Sequence, residues 1–186
     1  MVVVFGHGGH AQAVVNLAAT MGKTATMVDY QQIRTKPGRA ESLVGVGCSD
    51  MYLRERLFDE IMAHHWPDTL CYAQGVERML EPARAGTVIF PSTIGDAQIG
   101  RNVVIYSGCV VEHGSTIGDH AWLSPGVILC GNVTVKPRAF LGAGAIVLPG
   151  VTIGEGACIG AGAVIHHDVP DGLTVYGPRD EGRPTC

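Results

Sequence analysis

Charge and aromatic rings are both scarce in this 186-residue chain: 16% of its residues are charged and 6% are aromatic. Because 46% are hydrophobic, the shortage of charge marks a well-cored globular protein and excludes a solvated, disordered one. No basic stripe is present. Residues up to Gly86 hold 8 basic and 9 acidic groups and those beyond it 5 and 8, for a net charge of −4. Nucleic acid is therefore not an expected partner. Long apolar runs are missing too. The run from Met1 to Phe5 is too short for a signal or a spanning helix, so no membrane partner is expected. The six cysteines include no CxxC pair and no metal-like spacing. A reduced, cytoplasmic protein is expected, with neither a disulfide framework nor a metal site.

What the chain has in excess is a period. Every sixth residue from Ile99 to Ile165 is aliphatic, beginning Ile99, Ile105, Val111, Ile117 and running on without a slip. Four residues after each stands a small or β-branched side chain, from Val103, Cys109, Ser115 and Ala121 onward to Val169. A period of six fits neither a helix nor an alternating strand. It is the hexapeptide repeat of a β-helix, in which three sixes close one triangular coil. The aliphatic residue points into the prism, and stacked coils bury its apolar area at about 25 cal/mol per Å². The small residue also faces inward, where a larger one would collide with the adjacent coils. Cys109 and Cys158 are expected on inward positions as small hydrophobes. Glycines at the second position (Gly100, Gly118, Gly142, Gly154 and Gly160) are expected to give tight corners their unusual dihedrals. The register is imperfect on entry, at Ile94.

Ahead of the repeat, the apolar run Val2–Phe5 ends in Gly6-His7-Gly8-Gly9-His10. A helix is expected next, with Val14, Leu17, Ala18 and Met21 on one face and a stop at Gly22. A second β-rich run, Thr24–Val28, leads to Asp29. Strand, Gly-rich turn, helix, strand and acid make the opening of a nucleotide-binding α/β unit. There the glycines let the backbone approach a pyrophosphate, and the helix N-terminus offers N–H donors. His10 occupies the third-glycine position of the dinucleotide fingerprint, so a plain strand-to-helix turn competes with this reading. Residues Gln31–Gly47 read as loop. Ser49 or Asp50 is expected to cap a helix bearing Leu53, Leu57, Phe58 and Ile61, closed by His64-His65-Trp66-Pro67, and Thr69–Ala73 reads as a third strand. The expected organisation is α/β followed by β: a small Rossmann-like domain over residues 1–75, a linker over 76–86, a parallel β-helix over 87–172 and a tail over 173–186.

The Gly-His turn, the hexapeptide domain and four segments carry a resemblance. The segments are Val111-Glu112-His113, Ile117-Gly118-Asp119-His120, Cys130-Gly131-Asn132-Val133 and Asp168-Val169-Pro170. Together they resemble bacterial sugar acetyltransferases, those acting on UDP-linked amino sugars (the bacillosamine type) and the sialic acid O-acetyltransferases. The likeness spans nearly the whole chain and is most specific from Val104 to Pro170. It implies a left-handed β-helix, a homotrimer with its chemistry in a cleft between two chains, and acetyl-CoA as donor with no metal. It implies a nucleotide-linked sugar or a sialic-acid-like acceptor. His113 matches the general base that takes a proton from an amine or hydroxyl. Gly8, Gly9 and His10 match the turn around the nucleotide sugar's phosphates, and Asp29 the acid that reads the base. Gly131, Ala143 and Ala161 match positions lining the CoA arm, and Trp122 stands where the family places a histidine near the thioester.

Three positions depart from that pattern. Gly114 replaces the acid that usually follows the base, Trp122 the second histidine, and Tyr106 a common asparagine. A changed acceptor or acyl donor, or a nonenzymatic trimeric scaffold, is the alternative these departures raise. His120, His166 and His167 read as solvated corner or tail residues. A zinc site from His113 and His120, as in hexapeptide carbonic anhydrases, has no evident third ligand.

Overall fold

The structure is a computed structural model that describes residues 2–6, 8–29, 41–43, 51–63, 86–177 and 183–184. Its N-terminal unit is built on β1 (Val2–Phe5), α1 (Gly9–Thr20) and β2 (Ala25–Val28). β1 is apolar throughout because both of its faces are covered. Val3 and Phe5 pack with Leu57, Phe58 and Ile61 of α2 (Met51–Ala63), while Val4 packs with Ala11, Val14 and Leu17 of α1. β2 pairs parallel to β1 from Val2↔Ala25 to Phe5↔Val28. On the other edge lies β3 (Glu41–Leu43), also parallel. This third strand falls inside the stretch that reads as loop, because three residues are too few to display a period. α1 stops as its sequence predicts, with the Met21 and Gly22 amides closing on the carbonyls of the last turn and Gly22 at φ 69°. The expected Ser49 or Asp50 cap, the His64–Pro67 closure and the Thr69–Ala73 strand lie outside the described residues. Neither α1 nor α2 is long and apolar enough to cross a membrane.

From Val88 onward the chain is a parallel β-solenoid with three faces. The first face stacks Val88–Ile89, Val104–Ile105, Trp122–Leu123, Phe140–Leu141, Cys158–Ile159 and Leu173–Val175. The second stacks Thr93–Ile94, Val110–Val111, Ile128–Leu129, Ile146–Val147 and Val164–Ile165. The third stacks Gln98–Ile99, Thr116–Ile117, Thr134–Val135 and Thr152–Ile153. Neighbouring coils pair in full register, as in Ile128↔Ile146 and Thr116↔Thr134. Both inward series are buried from Ile99 to Val169, with Ser115 the polar member. At the entry, Ile89 opposes Ile105 and Ile94 opposes Val111, so the first coil is shorter than those that follow. That shortening is the fault in register at Ile94.

Two expectations about the repeat are corrected. None of the five second-position glycines has a positive φ. They are glycine because the next coil passes close: a Cβ on Gly118 would lie 2.6 Å from the Pro137 nitrogen, and one on Gly142 2.5 Å from that of Ala161. The left-handed corners fall elsewhere, at Gly108, Gly126, Gly144 and Gly162 on one edge and at Asn102, His120 and Arg138 on another. Cys109 does point inward, its thiol 3.2 Å from the Ser124 carbonyl. Cys158 does not. It opens a two-residue strand whose second residue, Ile159, takes the interior, so Cys158 faces out and is half-buried.

α2 ties the two units together along the edge between the third and first faces. Arg54 donates to the Asn102 carbonyl at 2.9 Å and to its side-chain oxygen at 3.2 Å. Phe58 meets the His120 ring edge-on at 5.6 Å, and Glu55 pairs with Arg138 at 2.9 Å. Successive coils thus present one residue each to the helix.

Candidate active site

The chemistry-bearing side chains fall into two groups on different parts of the prism. The first is at the edge between the second and third faces, where His113 follows the strand Val110–Val111. Asp96 and Gly131 hold the equivalent corner positions on the flanking coils. The imidazole lies over Gly131, where a Cβ would come within 3.0 Å of both Cε1 and Nε2. Glycine therefore leaves a shelf for the ring. Gly114 turns the corner at φ 69°, and the Asn132 carboxamide occupies the space a side chain at 114 would enter. The backbone N–H of Asn132 donates to the His113 carbonyl at 2.9 Å. His113 is thus an exposed imidazole on a fixed backbone, with no acid beside it in sequence on its C-terminal side.

The second group lies where α1 meets the first face. His10, in the first turn of α1, is 6% exposed, and its ring packs against those of Tyr106, Trp122 and Phe90 at 5.5, 4.8 and 6.4 Å. His10 Nδ1 is 2.6 Å from the Tyr106 hydroxyl, while Nε2 is buried without a hydrogen-bond partner among the described residues. The Arg54 guanidinium lies 4.9 Å over the Trp122 ring. Burial, and then the nearby Arg54 charge, lower the His10 pKa to about 3. Burial likewise raises the Tyr106 phenol above its ordinary value. The group is therefore a neutral imidazole against a protonated phenol, beside a cation fixed by hydrogen bonds.

Sequence-predicted residues distribute between and beyond these groups. Gly131 sits under His113, whereas Trp122, 8% exposed, belongs with His10. Ala143 and Ala161 are exposed and stack one coil apart at the edge between the first and second faces. Gly8 precedes α1 as its N-cap, and Gly9 opens the helix beside open space, with nothing within 4 Å of where a Cβ would stand. Asp29 is exposed just after β2. His120 is corrected: it is buried under α2, its Nδ1 accepting from the Asn102 amide at 3.0 Å, because the helix covers that edge. It therefore stands on a different edge from His113, and the two do not share a metal site. His166 and His167 are exposed near an open cavity of about 560 Å³ at the C-terminal end of the solenoid.

Sequence reasoning missed Arg54, which is one charge on an amphipathic helix with nothing in its spacing to mark it. The meeting of Tyr106 with Trp122 was within reach. Tyr106 directly follows the inward Ile105 of a first-face strand and Trp122 opens the next strand of the same face, so both point outward on neighbouring coils.

Comparison with known proteins follows the same lines. Residues 132–167 match the model of the bacterial transferase hexapeptide (six repeats). No curated protein matches the chain by sequence. Among solved structures, PerB from Caulobacter crescentus, in complex with CoA and GDP-perosamine, is 29% identical with a TM-score of 0.77, covering 100% of this chain and 97% of its own. A histidine variant of the same organism's GDP-perosamine N-acetyl transferase, also with CoA and GDP-perosamine, is 28% identical with a TM-score of 0.81, covering 100% and 96%. The acetyltransferase domain of PglB from Neisseria gonorrhoeae FA1090, in complex with acetyl coenzyme A, shares the fold at 23% identity and a TM-score of 0.81, covering 98% of each chain. The chain carries the bacterial transferase hexapeptide repeat and is similar over its whole length to the GDP-perosamine N-acetyl transferase of Caulobacter crescentus.

Proposed function

We propose that the protein transfers an acetyl group from acetyl-CoA to the amino group of a nucleotide-linked sugar, with His113 as general base. The observation that carries this reading is an exposed imidazole on the solenoid edge of a chain alike over its full length to GDP-perosamine N-acetyltransferase. The acceptor nitrogen attacks the thioester carbonyl, His113 takes the proton that the nitrogen sheds, the C–S bond breaks, and the CoA sulfur leaves and is protonated. General-base assistance of this kind contributes about 10²–10⁴-fold. Gly8, Gly9 and His10 hold the diphosphate of the nucleotide sugar at the N-terminus of α1, which has no acidic residue in its first turn to oppose an anion. The N-terminal unit serves as a Rossmann-like nucleotide-sugar domain, with Asp29 at the base. An amine is favoured over the sialic-acid-like hydroxyl because the similar structures are N-acetyltransferases.

The working unit in this reading is a homotrimer of left-handed β-helices. Its support is the outward side of the second face, where Val110, Ile128, Ile146 and Val164 form a half-buried aliphatic stripe. The third face presents Thr116, Thr134 and Thr152 at the equivalent positions. An apolar stripe of this length marks an interaction surface. It is flanked by the His113 edge on one side and the Ala143–Ala161 edge on the other. A second copy docked there lies between the base and the CoA-lining positions, which one chain alone keeps apart.

Thermal shift with acetyl-CoA, CoA, GDP-perosamine and UDP-linked amino sugars tests the proposal. A ligand present at 100 times its Kd stabilises the folded protein by about 2.7 kcal/mol. The expected result is a rise in Tm with acetyl-CoA and with at least one nucleotide sugar. No shift with any thioester would favour a nonenzymatic scaffold.

A further inference from the structure

We propose that Tyr106 is a positioning residue: its hydroxyl donates to Nδ1 of His10 and so holds the ring's single proton on Nε2, as a fixed donor for an anionic oxygen. The proposal rests on the reading above in one respect only, that the oxygen belongs to the diphosphate of the nucleotide sugar.

The geometry comes from four separate elements. His10 is supplied by the first turn of α1, Arg54 by α2, Tyr106 by the end of the strand Val104–Ile105, and Trp122 by the next coil. The 2.6 Å separation of the Tyr106 hydroxyl from Nδ1 suits an O–H donor. Phenol is also the stronger acid of the two partners, so the hydroxyl gives and the ring nitrogen accepts. A neutral imidazole has one proton, and once Nδ1 accepts, that proton is on Nε2. The ring is kept neutral by burial and by the adjacent Arg54 charge, and Tyr106 keeps its own proton because burial disfavours the phenolate.

Nε2 is then a buried donor with no partner among the described residues. A polar atom in that state is costly unless something outside the chain satisfies it. The polarity agrees with the surroundings. Gly8 caps α1 without a side-chain hydrogen bond, so the helix offers amide donors at the same turn. The packing against Trp122, Phe90 and Tyr106 prevents the ring from flipping to exchange its nitrogens. Tyr106 and Trp122, two of the positions that depart from the sugar acetyltransferase pattern, are in this view one coupled change that turns His10 into a rigid donor.

The test is the tautomer of His10, read from histidine-labelled full-length protein by long-range ¹⁵N–¹H correlation, with H10Q identifying its signals. The expected spectrum in the absence of ligand is that of an Nε2–H ring in the wild type and of a tautomer mixture in Y106F. GDP-perosamine affinity should fall about tenfold in Y106F, with acetyl-CoA affinity unchanged and Tm within about two degrees. A wild-type Nδ1–H ring, or an unchanged tautomer in Y106F, would overturn the proposal. The wild-type spectrum decides even if Y106F does not fold. If no nucleotide sugar binds while the tautomer is as stated, the acetyltransferase reading fails and the Tyr106 assignment stands.

Discussion

Protonation at His10 has a consequence for the whole fold. The ring is uncharged in the native protein down to about pH 3, whereas in the unfolded chain it charges near 6.5. Between those values the unfolded state binds the extra proton, so this contribution to stability is intact above about 6.5 and is lost progressively as the pH falls. The slope reaches about 1.4 kcal/mol per pH unit. His120, displaced in the same direction by burial, adds to it. Urea unfolding from pH 7 to 4 should show a falling midpoint, and H10Q should flatten the curve. An unchanged slope in H10Q would mean that the ring is charged in the native state. At the other group, Gly131 is the support for His113. In G131A the new methyl must push the imidazole by a few tenths of an ångström, so turnover should drop about tenfold or more with little change in Tm. Steady-state kinetics beside a melting curve checks this.

At the scale of elements, the solenoid was legible because a strict sixfold period is imposed by the coil itself. Ile99 to Val169 face inward where the count puts them. Ala139 illustrates how tight the small positions are: it is fully buried between neighbouring coils. A139L should cost about 1–3 kcal/mol or more in chemical denaturation, as overpacking does. Less legible were features set by contacts between distant segments. β3 has too few residues to carry a pattern, the second-position glycines answer to the neighbouring coil and not to their own φ, and His120 looks like any corner residue until α2 covers it. The candidate site divides in the same way. His113 is a candidate because the Val111-Glu112-His113 segment resembles a family motif, but the pairing of His10 with Tyr106, Trp122 and Arg54 depends on docking between units that no local spacing records.

For the molecule as a whole, the separation of His113 from the His10 group is the feature that calls for a second copy. The half-buried aliphatic stripe on the second face is the surface proposed for it. The double variant I128E/I146E should remain a folded solenoid by circular dichroism, sediment as a monomer and lose turnover, whereas the wild type is expected to sediment as a trimer. A monomeric wild type with full activity would confine the site to one chain. The central claim, acetyl transfer driven by His113, is tested most directly by thiol release from acetyl-CoA in the presence of GDP-perosamine and UDP-linked amino sugars. Acceptor-dependent release is expected from the wild type, falling by about 10²–10⁴-fold in H113A. Release that is equally fast in H113A, or that no acceptor stimulates, would contradict it.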